Sequence, residues 1–293
     1  MGCTLECAPP DQSGDAMLTT SLDGLWLLQA LTGIEVLAPE LGLRPHLPSV
    51  ETAAAALGHP MAEELRSAGV IDADGRVDQT VLEWLTVLAR REVGLLLHAR
   101  TPAAGAAPEQ ALLARFARWW VSIERCGNVV RLHGAATATG RQSADLVIRG
   151  QIERLCGVMA PASVRPVTLD VANLLNSARA GASLRGFLVG HRFDGDQVDT
   201  LVLAADSERS AQATLVAIES GVNGGPARSH IGPGAVTIID TPRGRLLAEH
   251  TDRDGRSWMV VGPGSTANIV AASLNLMRRL PAGDDWHVRR KAV

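Results

Sequence analysis

A chain of 293 residues, 46% hydrophobic and 20% charged, can bury about three quarters of its unfolded surface, enough for one large domain or two fused ones. A formal net charge of -3 and this apolar content exclude a disordered chain and the basic footprint of a nucleic-acid-binding protein. No apolar run reaches membrane-spanning length, and the first 16 residues lack the apolar core of a signal peptide, so the chain reads as cytoplasmic.

The segment 1–16, "MGCTLECAPPDQSGDA", reads as a disordered leader, with Met17 as an alternative start. The cysteines Cys3, Cys7, Cys126 and Cys156 form no metal-type pairs, and a reduced state is their default. "SLDGLWLLQALTG" predicts a helix capped near Asp23 and stopped at Gly33, a strand being the rival. "ETAAAALGHPMAEELRSAG" is helical with a break near Pro60. Val77, Val81, Leu82, Leu85 and Leu88 recur at helical spacing, and "VGLLLHAR" reads as a buried strand.

The loop "TPAAGAAPEQA", Thr101 to Ala111, has few side chains to anchor it and is expected to be mobile. It leads into "ARFARWWVSIE". Taken as one strand, this stretch puts Trp119 on a face with Val121 and Ile123, and Trp120 on the other with Arg118 and Glu124. An aromatic framed by charges suits a partner-binding face, so Trp120 is expected partly open and Trp119 buried. Burial of Trp120 under a helix is the structural alternative. "QSADLVIRGQIERLC" closes a half-chain of order helix, helix, three strands, helix.

The second half repeats that order. "GASLRGFLVG" and "DGDQVDTLVLAAD" are helical; "SAQATLVAIESG", "AVTIID", "RLLAEH" and "RSWMVVG" are strands. Thr241-Pro242-Arg243-Gly244 and Asp252-Arg253-Asp254-Gly255 are tight turns between them. "GPGSTANIVAASLNLMRRLP" becomes a last helix capped at Ser265 or Thr266. Its stripe Ile269, Val270, Leu274, Met277 and Leu280 faces the core, leaving Asn268, Asn275 and Arg278 outward. The fold class is therefore α+β, with halves at 17–160 and 161–293.

Chemistry-bearing motifs are sparse. Gly262-Pro263-Gly264-Ser265-Thr266 resembles an anion-binding nest but lacks a P-loop lysine, and a simple helix cap is the preferred reading. His59 with Glu63 and Glu64 makes a poor metal site without a third partner. No catalytic residue, cofactor or metal is assigned, which shifts weight to a protein whose function lies in surface shape. The readings from other classes are an enzyme acting on a phosphorylated small molecule at Gly262 to Thr266, and a structural homodimer.

Taken together and in order, Asp23-Gly24-Leu25-Trp26, Gly42-Leu43-Arg44-Pro45-His46-Leu47-Pro48, Ile239-Asp240-Thr241, Gly244-Arg245-Leu246, Pro263-Gly264-Ser265 and Leu280-Pro281-Ala282-Gly283 resemble the EspG family, the cytosolic chaperones of mycobacterial type VII (ESX) secretion. The resemblance runs from Leu18 to Trp286. The run "RFARWWVSIERCGNVVRLHG" looks nearest to the member associated with the second ESX locus; residues 1–16 depart from the pattern. The resemblance implies a pseudo-twofold structure of helix-helix-strands-helix halves around a central antiparallel sheet flanked by helices. It implies binding of the helical tip of the PPE subunit in a PE-PPE heterodimer, with no reaction, nucleic acid or membrane involved; self-association of the free protein stays open. It places the contact on the sheet, the C-terminal helices and the loop after the second strand, here Thr101, Pro102 and Pro108. With Arg118, Trp120, Glu124, Asn268, Asn275 and Arg278, these are the candidate contact residues.

Overall fold

The structure is a computed structural model that describes residues 17–102, 109–179, 183–191, 193–220 and 229–288. The chain enters as a short strand, β1 (Met17–Ser21), and turns at once into helix α1 (Leu22–Thr32). Ser21, two residues before the expected position, caps α1 by accepting from the Gly24 amide, and Gly33 ends it in the left-handed conformation. Gly24 is required where α1 folds back on β1, because a Cβ there would stand 2.0 Å from the Thr20 hydroxyl. Helices α2 (Ala53–Leu57) and α3 (Met61–Ser67) are separated at the break expected around Pro60. The amphipathic α4 (Gln79–Arg90) starts at Asp78, whose carboxylate accepts from two amides of the first turn.

Four strands follow: β2 (Val93–Arg100), β3 (Glu109–Phe116), β4 (Trp119–Cys126) and β5 (Val129–Thr137), then α5 (Arg141–Cys156). The second half opens with β6 (Val167–Asp170), α6 (Val171–Arg179), α7 (Leu184–Gly190) and α8 (Gly195–Ala205). It continues through β7 (Ala211–Ser220), the short β8 (Ser229–Ile231), β9 (Ala235–Thr241), β10 (Gly244–Arg253) and β11 (Arg256–Pro263). The capped α9 (Thr266–Arg278) and a 3-10 turn, Gly283–His287, complete the described chain.

All the strands join one antiparallel sheet of order β1-β5-β4-β3-β2-β7-β9-β10-β11-β6, with β8 beside β7. The middle pair, β2 and β7, runs from Val93 opposite Glu219 to Arg100 opposite Gln212. Outward from it the order repeats: β3, β4, β5, β1 on one side and β9, β10, β11, β6 on the other. This is the pseudo-twofold α+β arrangement expected from element order. The first half differs in detail, since the region read as three strands holds four, and β1 adds a fifth.

Alternation along the strands divides the apolar residues between the faces. One face, with Leu95, Leu97, Leu113, Leu215 and Ile238, is covered by α5 and α9 through Ile148, Ile152, Ile269 and Met277. On the other face, α1 to α4 bury Leu96, Leu112, Ile123 and Leu132, and α7 and α8 cover Ile239, Leu246 and Val261.

Buried arginines tie the halves together. Arg245, 1% exposed, makes a bidentate pair with Asp240 and donates to the Cys156 and Gly157 carbonyls where α5 ends. Arg115, 2% exposed, pairs with Glu92 and donates to the His287 carbonyl beyond α9. Each half thus satisfies carbonyls in the chain that follows the other half's long helix.

Candidate partner-binding surface

The stretch around the two tryptophans is two strands and not one. β3 ends at Phe116, Ala117 and Arg118 make the turn with Ala117 at φ 54, and β4 starts at Trp119. Alternation within β4 keeps the expected division, with Trp119 on the side of Val121 and Ile123 and Trp120 on that of Ser122 and Glu124, but helices cover both faces, and the side left open at the strand's start is not the one expected. Trp120 is 1% exposed and packs edge-on against Trp286, ring centroids 6.2 Å apart; Trp119 is 42% exposed. The outward tryptophan is therefore Trp119, with the Arg118 guanidinium 4.9 Å over its ring. Glu124 is also buried and does not frame an open aromatic. Burial pushes its carboxyl up, but the His133 ring and the Arg154 guanidinium outweigh this and hold it below the usual carboxylate range.

Trp119 forms one wall of an open groove of about 630 Å³ between α4 and the turn end of β3 to β5. Thr80, Trp84, Val87, Phe116 and Gly134 also line it. Gly134 is required there, because a Cβ would come within 2.9 Å of the Trp84 indole nitrogen. Trp84 lies outside the helical stripe of Val81, Leu82, Leu85 and Leu88, and its contact with β5 at Gly134 has no local signal in the sequence.

The other candidates do not converge on this groove. Thr101 is half-buried and Pro102 exposed at the opposite end of β2 and β3. Pro108 and positions 103–107 lie outside the described residues, so the expected mobility of that loop is not addressed there. Glu109, Gln110 and Ala111 belong to β3, with Ala111 buried, and are not loop. On α9, Asn268 and Asn275 are exposed and Arg278 is half-buried, while Ile269, Val270, Leu274, Met277 and Leu280 are buried as the stripe required. α9 covers the face of the sheet opposite α7 and α8, so its polar residues and those helices form separate surfaces.

The C-terminal helices carry a feature that sequence reading passed over. α6 has no buried residue, although Val171, Leu174, Leu175 and Ala178 occupy one helical stripe. Leu175 is 49% exposed, and Val189 of the adjoining α7 is 59% exposed. The i, i+3, i+4, i+7 spacing in "VANLLNSAR" was the available signal.

At Gly262 to Thr266 the chain is held by its own neighbours. The Gly264 amide donates to Arg245, and the Asn268 amide donates to the Ser265 hydroxyl. This is the geometry of a cap. His59 accepts from the Met61 amide and stands edge-on to Trp26. Among the described residues no group of three His, Cys, Asp or Glu could hold a metal, and no helix is long and apolar enough to cross a membrane.

Fold and surfaces define a pseudo-symmetric α+β protein with open apolar ground on both halves. The chain belongs to the EspG family, whose model matches residues 21–272. It is 49% identical over 280 residues to EspG2, an ESX-2 secretion-associated protein of Mycobacterium tuberculosis, covering 94% of this chain and all of that one. To EspG5, an ESX-5 secretion-associated protein of Mycobacterium marinum, it is 26% identical over 298 residues, covering 93% and 97% of the two chains. The higher identity to the ESX-2 member agrees with the resemblance seen in the sequence. The solved structure of the Mycobacterium tuberculosis type VII secretion chaperone EspG5, in complex with a PE25-PPE41 dimer, has the same fold, with a TM-score of 0.73 at 20% identity over 94% of this chain and 100% of that one.

Proposed function

We propose that this chain is a cytoplasmic specificity chaperone of type VII (ESX) secretion. It binds the helical tip of the PPE subunit in a PE-PPE heterodimer, covers the apolar patch there and keeps the pair soluble until export. It catalyses no reaction. Residues 17–160 and 161–293 act as two halves of one EspG-like unit.

The observation that carries this reading in the structure is α6, an amphipathic helix without a buried residue. An apolar stripe whose Leu175 and Ala178 are exposed and whose Val171 and Leu174 are only half-buried suits a helical partner, whose side chains pack against it as one helix packs on another. We assign the cargo contact to the stripe of α6 and α7, with Thr101, Pro102 and the loop they open as a second element. The relatives' association with ESX secretion and the PE25-PPE41 complex of EspG5 support the choice of partner.

The test is co-expression with candidate PE-PPE pairs, scored by co-purification. The parent should capture a cognate pair, and Leu175→Asp should lose it while melting like the parent. Capture unchanged by Leu175→Asp moves the contact elsewhere, and failure of every pair removes the function. A structural homodimer would instead run as a dimer on sizing and capture none.

A further inference from the structure

We infer that the Trp84–Trp119 groove is a second docking site, which takes the apolar face of an amphipathic helix carrying Asp or Glu beside its apolar stripe. This goes beyond the cargo surface proposed above, because the groove opens at the Phe116 and Trp119 end of β3. The loop assigned to cargo joins the other end of that eight-residue strand, roughly 25 Å away at the usual rise.

The corresponding place in the second half shows what fills such a gap. There the chain's own Ala160 to Arg165 runs from β10 to the first turn of α8. The Arg245 amide donates to Ala160, the Ala162 amide donates back to Arg245, and the Gln197 side chain donates to the Arg165 carbonyl. Arg165 also pairs with Asp194, the cap of α8. The path needs Gly244, the first residue after the β9–β10 turn, since a Cβ there would lie 2.9 Å from the Ala162 backbone.

In the first half Trp119 holds the position of Gly244, each being the first residue after a two-residue turn. Its indole closes the path that a strand would take. β5 also stays paired with β4 through Ala136 and Thr137, so the backbone groups that Arg245 offers to Ala160 and Ala162 have no free counterpart. What remains is a groove walled by Trp84, Phe116 and Trp119. A segment entering it must satisfy its own N–H and C=O groups, which a helix does internally.

The groove carries charge of both signs: Glu83 of α4 lines it, and two arginines stand at its aromatic end. The Arg118 guanidinium lies over Trp119, and that of Arg90 lies 5.9 Å over Phe116. Among the described residues neither has a carboxylate within ion-pair distance. At that end two cations parked on aromatic walls favour a helix with carboxylates along the facing edge of its apolar stripe and disfavour one with lysines there.

The experiment is fluorescence anisotropy of the full-length protein with labelled amphipathic peptides of about 18 residues, long enough to hold a helix. One has a Leu/Phe stripe flanked by Glu, the other the same stripe flanked by Lys. The Glu peptide is expected to bind saturably at low salt, and the Lys peptide at least ~10-fold more weakly. Trp119→Ala should weaken the Glu peptide by ~10-fold or more, and Arg118→Glu should reverse the preference. Both variants should melt like the parent and still capture the PE-PPE pair that the parent captures. Equal binding of the two peptides, no saturable binding, or parent-like binding by Trp119→Ala overturns the inference. So does self-association abolished by Trp119→Ala, which makes a second copy the occupant, or loss of PE-PPE capture in that variant, which gives the groove to the cargo.

Discussion

The two halves share a strand order yet hold their partner helices differently. Arg115 faces Trp120 across the β3–β4 ladder, at the place where Asp240 faces Arg245 across β9–β10. In the second half this pair is a buried ion pair that also satisfies the carbonyls ending α5. In the first half an aromatic takes the arginine's place and packs on Trp286, while Arg115 turns to Glu92 and the His287 carbonyl. Equivalent positions in a symmetric scaffold can thus do one mechanical task by different chemistry. What has to be kept is a clamp on the other half's helix end, and this couples the two halves in folding.

The sharpest way to break the comparison is to remove the polar clamp. Arg245→Ala leaves Asp240 buried without its bidentate partner and strips two carbonyls, and should cost about 3–5 kcal/mol, measured by denaturant unfolding. The aromatic clamp should respond on the same scale: Trp120→Ala, at a site 1% exposed, should cost about 3–5 kcal/mol. Trp119→Ala should stay within about 1 kcal/mol of the parent. Trp120→Ala combined with Trp286→Ala should cost less than the sum of the two, because each indole loses the same neighbour. Equal melting of the Trp119 and Trp120 variants would contradict this assignment of faces.

A smaller effect sharpens the contrast at the gap between helix and sheet. Gly134→Val pushes a side chain into the Trp84 indole and should cost about 1–3 kcal/mol, together with the binding of any helix in the groove. The smallest effect is acid-dependent. Glu51 accepts from the Leu47 amide, Arg44 and His46, and with the Leu47 bond foremost its carboxyl is lowered from 4.5 to about 2. The depressed folded-state value means that this contribution is complete above pH 4.5 and is lost as pH falls toward 2. Glu51→Gln should therefore flatten the acid limb of stability between those values and leave the neutral-to-basic limb unchanged in shape, as read by melts across pH.

Much of the scaffold was legible in local chemistry. The break at Pro60, the stripe of α4, the turns at Pro242-Arg243 and Asp254-Gly255, and the Ser265 cap each rest on one residue's backbone preference or on a short periodic run. The candidate surface was less legible. α6 carried a readable stripe, but period alone does not say whether a stripe is covered. β1 and β6, of five and four residues, are too short for alternation to distinguish them from irregular chain.

By itself the sequence determined the fold class and the doubling of element order, because propensity, turn chemistry and apolar period act over a few residues at a time; the resemblance to its family lay in motifs spread along the chain. Tertiary structure alone decided which tryptophan faces solvent. The answer depends on helices covering both faces of β4 and on Trp286, far along the chain, arriving to bury Trp120, while Trp119 at the strand's first position is left at the open groove. It likewise decided that the gap beside β10 is filled and the one beside β4 stays open. That outcome turns on whether Gly244 or Trp119 follows the turn, and on what crosses it in space.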